Sequence, residues 1–328
     1  MKRRWPRVLL GILAIVAVAA LAVYAVYSAD LRSVSARLAA GSVVVETSAG
    51  AVEYADRGDG PPLLVLHGAG GGYDQGLLIG DTFAGSGFRI IAPSRFGYLR
   101  SPLPADASTA AQADALAALL DSLQIERVAI MGMSGGVPPA LQFAARYPER
   151  TSALVLLSSA PYTPLTAAAQ DLPIPAWLYQ ALFSSNLPYW IMQKLAPGSL
   201  DAIFDVKPEL RANLAPDDSA LVASLVAAFQ PVTGRVAGLA NEGAAIAPDA
   251  DYHLDRLAVP TLVIHAEDDG INPFPIGEFT AVNVPGAEFV PLATGGHLLL
   301  GHQAEVRARA AAFLAAHSAQ VPSAAPVR

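Results

Sequence analysis

One pentapeptide in this chain has the residue pattern of a nucleophilic serine. Gly132-Met133-Ser134-Gly135-Gly136 follows a strand-like apolar run, Val128–Met131, and precedes a helix-like run, Pro138–Tyr147. Glycines two positions before and after a serine let a strand turn sharply into a helix, because side chains there would collide. The turn lifts the hydroxyl clear of the sheet and points the positive end of a helix dipole at it. Ser134 is therefore the predicted nucleophile, and the Gly135 N–H is one predicted donor to an oxyanion.

A serine hydroxyl needs a general base, and chain order favours one of the six histidines. His297 ends Thr294-Gly295-Gly296-His297, between the last strand-like run and the last helix-like run. Loops at the carboxyl ends of parallel strands are where such sheets place their active sites. His67 precedes the serine, His253 lies in an insertion, and His265 lies on a strand-like run. His302 and His317 lie on the closing helix-like run or just beyond it. His297 is the predicted base.

A carboxylate should orient the imidazole and stabilise its protonated form. The strand-like run Thr261–His265 opens into a loop with three adjacent acidic residues, Glu267, Asp268 and Asp269. Asp269 is the predicted acid, with Asp268 and Glu267 as alternatives. The two acidic residues that do not orient the imidazole would then belong to a solvated turn.

The second oxyanion donor is expected from the glycine-rich segment His67–Gly72, which follows the strand-like run Leu63–Leu66. Glycines allow backbone N–H groups to approach a substrate closely. The N–H of Ala69 is the predicted donor, and that of Gly70 is the alternative. The segment lacks the Gly-Lys-Ser/Thr ending of a phosphate-binding loop.

Strand-like and helix-like runs alternate through most of the chain. Continuous apolar strands in such an alternation predict an α/β fold, with a mostly parallel central sheet covered by helices on both faces. This core is expected to comprise residues 43–160 and 253–317. Residues 161–252 are rich in proline, aromatic residues and helix-like runs, and are predicted to form a mainly helical insertion. Residues 318–328 are predicted to be a disordered tail.

The N-terminus predicts a membrane anchor. Val8–Tyr27 is an uncharged apolar run of a length that spans about 30 Å as a helix, the thickness of the hydrocarbon core. Four basic residues precede it, against two just after it, which places the N-terminus in the cytoplasm and the remaining chain outside. Residues 1–28 are the predicted basic stub and transmembrane helix, and residues 29–42 a tether. The alternative is a secreted protein with a cleaved signal peptide, although Tyr27 would be bulky three positions before a cut after Ala29.

Composition excludes several classes of chemistry. A net charge of -7 argues against a nucleic-acid partner. The absence of cysteine excludes thiol catalysis, cysteine-based zinc sites and disulfides. Only three lysines are present, none in a recognisable motif for Schiff-base or Ser–Lys chemistry. No metal or organic cofactor is expected.

Residues 43 to 317 resemble the α/β-hydrolase family, in its serine branch with a helical cap. The resemblance rests on ordered motifs at compatible spacings: His67-Gly68-Ala69-Gly70-Gly71, Pro93–Ser101, Gly132-Met133-Ser134-Gly135-Gly136, Pro260–Asp269 and Gly296-His297. In the family the catalytic acid follows a small residue by three positions. Ala266 is that small residue here, which favours Asp269. The resemblance implies that residues 161–252 are the cap between strands six and seven. The family often has aspartate where this chain has Ser94, which is a departure from the pattern.

The expected activity is hydrolysis of a carboxylic ester of an apolar small molecule through an acyl-enzyme. An apolar cap over a buried serine suits an uncharged hydrophobic group. Its large apolar residues, which form cap core more often than substrate wall, are Leu172, Trp177, Leu178, Leu182, Phe183, Tyr189, Trp190 and Phe204. A serine nucleophile argues against the epoxide hydrolases and haloalkane dehalogenases, which are similar in fold but use aspartate as the nucleophile. Two alternatives stay open: a C–C bond hydrolase of a vinylogous diketone, and a non-catalytic ligand-binding protein of this fold.

Overall fold

A computed structural model describes residues 5–162, 165, 175–245 and 252–318 of the chain. The chain forms two compact units, Met1–Ala40 and Gly41–Arg328. The described part of the first unit is a single helix, α1, Trp5–Ala40. By length and composition, its segment Val8–Ala40 could cross a membrane. The predicted tether is thus helical as far as Ala40, and all but the first residue of the predicted disordered tail lie outside the described residues.

The second unit contains one sheet of eight strands. The strands are β1 Val43–Thr47, β2 Gly50–Arg57, β3 Pro62–Leu66, β4 Arg89–Pro93, β5 Val128–Met133, β6 Thr151–Leu157, β7 Thr261–Ala266 and β8 Glu288–Leu292. Their order across the sheet is β1-β2-β4-β3-β5-β6-β7-β8. The hairpin strands β1 and β2 run antiparallel, and β3 to β8 are mutually parallel. The mostly parallel sheet predicted from the alternating runs is confirmed.

Helices cover both faces of the sheet. The core helices are α2 Tyr73–Phe83, α3 Thr109–Ser122, α4 Val137–Arg146, α10 Pro275–Asn283 and α11 Gln303–Ser318. Alternate residues of β3 belong to different cores: Leu63 and Val65 pack with α2 and α11, whereas Leu64 and Leu66 pack with α3, α4 and α10. Because side chains alternate along a strand, a strand buried on both faces must be apolar throughout. The continuous apolar runs in the sequence have this cause.

The insertion between β6 and β7 is helical in its described part. Its helices are α5 Ala176–Phe183, α6 Asn186–Leu195, α7 Pro208–Arg211, α8 Pro216–Ala228 and α9 Val236–Ala245. No strand occurs in the described residues of this insertion, hereafter the cap. Most of the apolar cap residues named above that lie among the described residues are buried, but the side chain of Trp177 is 70% exposed. Leu172 lies outside the described residues.

Ser94, where the sequence departs from the family pattern, donates a hydrogen bond to a carboxylate on a neighbouring strand. Glu53 on β2 is buried, and its Oε2 accepts hydrogen bonds from Ser94 Oγ at 2.9 Å and from Arg100 N–H at 3.0 Å. Its Oε1 accepts from Arg100 Nε at 2.7 Å and from Ser42 Oγ at 2.7 Å. Glu53 on the antiparallel partner strand therefore provides a carboxylate to Ser94 and Arg100, and it fixes the loop after β4.

Candidate active site

Ser134 lies at the turn between β5 and α4, with backbone geometry that is uncommon for a residue with a side chain. Its φ is 52°, in the left-handed region, and such a residue costs about 1–3 kcal/mol. A Cβ on Gly132 would lie 2.8 Å from Gly136 O, and one on Gly136 would overlap Leu66 O. The flanking glycines are thus required by close backbone approach, as the motif predicts. β5 continues to Met133, two residues further than predicted, because Gly132 and Met133 still pair with β6.

Asp269 and His297 are in direct contact. His297 Nδ1 lies 3.0 Å from Asp269 Oδ2 and 3.2 Å from Asp269 Oδ1, and both residues are buried. Because a carboxylate only accepts hydrogen bonds, the shared proton belongs to His297 Nδ1. The Nε2 of a neutral His297 is then an acceptor. This is the tautomer that a general base for a serine requires.

Ser134 is linked to this pair through Asn272, which no sequence motif marks. Asn272 Nδ2 lies 3.4 Å from Ser134 Oγ and donates to Ser158 O at 2.8 Å. The Asn272 N–H donates to Asp269 Oδ1 at 2.8 Å. Within the described part of the chain, no hydrogen bond joins Ser134 directly to His297. Hydrogen bonds of catalytic groups are often long in unliganded proteins and tighten around a substrate.

Asp269 is held in its charged form. Burial opposes ionisation, but His297 and hydrogen bonds from His265, His297 and the Asn272 backbone outweigh it, and the pKa of Asp269 falls well below its usual range. His265 Nε2 donates to Asn272 O at 2.9 Å and lies 3.4 Å from Asp269 Oδ2. The carboxylate is therefore ionised at any pH at which the protein would work.

The two alternative acids have other positions. Asp268 Oδ1 accepts a hydrogen bond from the Gly296 N–H at 2.8 Å, which ties the acid loop to the loop that carries His297. Glu267 is exposed. Asp269 is thus the member of the acidic trio that contacts the imidazole.

A second carboxylate, Asp205 of the cap, reaches the same two loops. Its Oδ2 accepts a hydrogen bond from the Gly270 N–H at 2.7 Å. A Cβ on Gly270 would lie 2.5 Å from Asp205 Oδ1, and one on Gly296 would lie 3.0 Å from Asp205 Oδ2. The glycines next to Asp269 and His297 therefore make room for a cap carboxylate.

Asp269 and Asp205 favour the protonated form of His297. Burial opposes a charged imidazolium, but Asp269, through its charge and hydrogen bond, and Asp205 raise the pKa of His297 above its ordinary value. An imidazole in this environment accepts a proton readily.

The glycine-rich loop after β3 lies against the turn at Ser134. A Cβ on Gly68 would be 3.2 Å from Ser134 Cβ, and one on Gly135 would be 3.2 Å from Ala69 N. The Gly70 N–H donates to the Tyr98 hydroxyl at 3.2 Å. Ala69 is thus the loop N–H beside Gly135, whereas that of Gly70 already has a partner. The role of Ala69 and Gly135 as oxyanion donors stays a prediction.

An aromatic cap residue packs onto this loop. Gly70 has φ 75°, and a Cβ there would overlap the ring of Phe229. Three further cap rings surround Phe229, with centroids 5.3 to 5.8 Å from it: Phe183, Tyr189 and Phe204. A cluster of aromatic cap residues therefore packs against the loop that carries Ala69.

The buried histidine at the start of this loop has a structural position. His67 Nδ1 lies 2.7 Å from Gly68 O, and His67 Nε2 accepts from the Arg95 N–H at 3.0 Å. Burial and then the charge of Arg95 lower the pKa of His67 well below its ordinary value. Both ring nitrogens are thus engaged by the backbone, and His67 stays neutral.

Several residues near the site carried no signal in the sequence. Arg95 and Tyr98 lie in a motif quoted for the family resemblance, but nothing in the motif assigns them a contact. Asn272, Asp205 and Phe229 lie in segments without any motif. Among the described residues, no group of three or more histidines, aspartates or glutamates is arranged to hold a metal ion.

Known proteins share this arrangement of elements. The family model described as alpha/beta hydrolase fold matches residues 61–197. A 2-hydroxymuconate semialdehyde hydrolase of Pseudomonas putida is 31% identical over 262 residues, which cover 77% of this chain and 86% of that protein. An alpha/beta hydrolase fold protein from Nakamurella multipartita is 29% identical, with a TM-score of 0.74 over 83% of this chain and 98% of that chain. A thermophilic esterase from Thermogutta terrifontis is 25% identical, with a TM-score of 0.58 over 84% of this chain and 99% of that chain. The chain belongs to the α/β-hydrolase family.

Proposed function

We propose that this α/β hydrolase cleaves a carboxylic ester of an apolar small molecule, with Ser134 as the nucleophile. The observation that carries the proposal is the hydrogen bond between Asp269 and His297, beside a serine in a left-handed turn. Such a pair leaves a basic nitrogen free for the serine proton. A strained, glycine-flanked serine at the end of a sheet strand is the geometry that presents a hydroxyl to a substrate.

In the proposed reaction, Ser134 Oγ attacks the ester carbonyl carbon while His297 Nε2 takes its proton. The carbonyl oxygen becomes an oxyanion, which the N–H groups of Ala69 and Gly135 stabilise. The carbon–oxygen bond to the alcohol then breaks, and His297 returns the proton to the leaving alcohol. Water attacks the acyl-enzyme by the same steps in reverse, which releases the acid and free Ser134.

The composition of the cap supports an uncharged, apolar substrate. Phe229 lies directly against Gly70, next to the predicted donor Ala69, and three further aromatic rings of the cap pack around it. Apolar walls with a few placed polar groups are typical of small-molecule sites. The similarity to the Thermogutta terrifontis esterase agrees with ester cleavage.

Hydrolysis of a C–C bond in a vinylogous diketone is the second candidate. The 2-hydroxymuconate semialdehyde hydrolase of Pseudomonas putida, at 31% identity, favours it. The same serine, histidine and aspartate would serve both reactions, so the substrate has to decide between them.

A substrate panel tests the proposal. We expect the purified chain to hydrolyse p-nitrophenyl esters of two to eight carbons, with the highest kcat/KM for an apolar acyl chain longer than acetate, because the aromatic cap residues beside Gly70 favour burial of such a chain. A ring-cleavage product followed by its own absorbance is the matched C–C substrate. A higher kcat/KM for that product would replace the ester proposal. Tight binding of a small ligand without turnover across the panel would favour a non-catalytic protein.

We further propose that α1 anchors the chain in a membrane, with the N-terminus cytoplasmic and residues 41–328 outside. Basic residues before the apolar run, Lys2, Arg3, Arg4 and Arg7, outnumber Arg32 and Arg37 after it. In a bacterial host, we expect the full chain to stay with membranes in alkaline carbonate, and protease added to spheroplasts to digest the catalytic unit.

The double variant Ile15→Arg, Ala19→Arg is the control for this anchor. It places two charges in the apolar run, so the chain should be lost from the membrane fraction. Recovery of a soluble chain that begins after Ala29 would instead support a cleaved signal peptide. Protection of the catalytic unit from added protease would reverse the proposed orientation.

A further inference from the structure

A cap carboxylate lies beside the predicted oxyanion donors. Glu242 is on α9, and its Oε2 is 2.8 Å from the point where a Cβ on Gly135 would lie. The same point is 3.2 Å from Ala69 N and 3.2 Å from Arg95 Nη2. A carboxylate, a guanidinium and both predicted oxyanion donors therefore meet within a few ångströms of one another.

Glu242 is held in place by several donors. Arg95 Nη2 donates to Oε1 at 2.5 Å, and Arg95 Nη1 donates to Oε2 at 3.2 Å. The Tyr98 hydroxyl also donates to Oε1, and it accepts in turn from the Gly70 N–H. Burial and the charge of Glu242 raise the pKa of Tyr98 well above its ordinary value, so this hydroxyl stays a donor. The carboxylate thus has three donors for its charged form.

Close backbone contact brings α9 to this place. The Gly238 N–H donates to Gly97 O at 3.0 Å, and a Cβ on Gly238 would overlap the Tyr98 ring. Gly97 itself has φ 76°. Two glycines in separate segments therefore permit the approach that places Glu242 beside Gly135.

The negative member of the pair is the more accessible one. The side chain of Glu242 is 23% exposed, whereas that of Arg95 is 8% exposed, and Arg95 Nε is occupied by His67 O at 2.9 Å. Two other cations near the loops have partners as well: Arg235 pairs with Asp74 at 2.8 Å, and Lys207 donates to Asp268 O at 2.6 Å. Beside Gly135, the carboxylate and its counterion therefore lie at similar distances, and the carboxylate is the more exposed of the two.

We propose that Glu242, held by Arg95 and Tyr98, is a specificity-determining residue that excludes acyl groups bearing a carboxylate and admits uncharged or cationic ones. This inference rests on the proposed ester hydrolysis and names the substrate class of the same site. A second negative charge close to Glu242 in a partly desolvated site is repelled, whereas the oxyanion is stabilised by the predicted N–H donors. Removal of the carboxylate alone leaves Arg95 without its counterion and converts the subsite to one that favours anions.

The experiment compares two esters of equal chain length, p-nitrophenyl pentanoate and mono-p-nitrophenyl glutarate, with spontaneous hydrolysis subtracted. For the full wild-type chain we expect kcat/KM for pentanoate to exceed that for glutarate by at least about tenfold. In Glu242→Gln the ratio should fall at least about tenfold, because the repulsion is gone and Arg95 is unpaired. Glu242→Asp keeps the charge and should keep most of the discrimination.

Glu209→Gln is the matched control, since it removes an exposed acidic side chain from another cap helix and should leave the ratio unchanged. An unchanged ratio in Glu242→Gln, with pentanoate turnover retained, would overturn the inference. If that variant does not fold, the wild-type ratio decides, because it should fall when ionic strength rises to about 0.5 M; a ratio independent of salt overturns the inference. Lack of pentanoate turnover by the wild-type chain overturns the proposed function instead, so the two failures are distinguishable.

Discussion

Ser134→Ala is expected to lower kcat for p-nitrophenyl pentanoate by at least about 10⁴-fold and to abolish labelling by a fluorophosphonate probe. The Oγ atom is the group that forms the acyl-enzyme, and no other atom of the side chain takes part in the proposed reaction. Asn272 and the N–H groups of Ala69 and Gly135 remain in the variant. Residual catalysis would therefore report what orientation and oxyanion stabilisation contribute without the nucleophile.

The fold should survive this substitution, because alanine at position 134 keeps the glycine-flanked turn. Thermal unfolding of the variant checks this directly. Ser219→Ala is the matched control, since Ser219 is an exposed serine on the cap helix α8 and should label and react like the wild-type chain. Labelling of Ser134→Ala at the wild-type rate would mean that another residue is the nucleophile.

The core strands could be predicted because their pattern is local. A parallel strand buried on both faces must be continuously apolar, so runs such as Leu63–Leu66 and Thr261–His265 stand out without any tertiary information. The glycines at 132 and 136 also carry a local signal, since the turn at Ser134 leaves no space for a side chain on either of them. Strand ends were less well predicted, because ladder pairing with β6 extends β5 to Met133.

The local sequence pattern does not show which of the three adjacent acidic residues contacts the histidine. Glu267, Asp268 and Asp269 are consecutive in the sequence, and spacing from a small residue favoured Asp269 only through the family resemblance. In the structure Asp269 contacts His297, while Asp268 accepts from the Gly296 N–H. The difference is a matter of side-chain direction within one loop, which residue types do not encode.

Contacts between distant segments could not be predicted at all. Glu53 supplies a carboxylate to Ser94 through an antiparallel pairing of β2 with β4. The cap reaches the site with single side chains from three separate segments: Asp205, Phe229 and Glu242. Each contact depends on how the cap packs on the core, and the sequence of either segment alone is compatible with many such packings.

Asp269→Asn tests whether Asp269, and not an adjacent acidic residue, is the acid that acts with His297. The amide keeps the shape of the carboxylate but cannot stabilise a charged imidazolium, and it can select the wrong tautomer of His297. We therefore expect kcat for p-nitrophenyl pentanoate to fall by about 10⁴-fold. Asp268→Asn is the matched control: its Oδ1 can still accept from the Gly296 N–H, so a loss of less than about tenfold is expected.

The pH profile of the same variants gives a second readout. A general base must be unprotonated, so kcat/KM of the wild-type chain should rise with pH through the pKa of His297, which lies above its ordinary value because Asp269 and Asp205 outweigh the opposing effect of burial. Lys207, which lies 3.8 Å from Asp205, and His265 beside Asp269 are the other titratable groups that face these carboxylates. Removal of the Asp269 charge should move the rising limb of residual activity to lower pH, whereas Asp268→Asn should leave it in place. A large loss and a shifted limb in Asp268→Asn, with Asp269→Asn close to wild type, would transfer the role of the acid to Asp268.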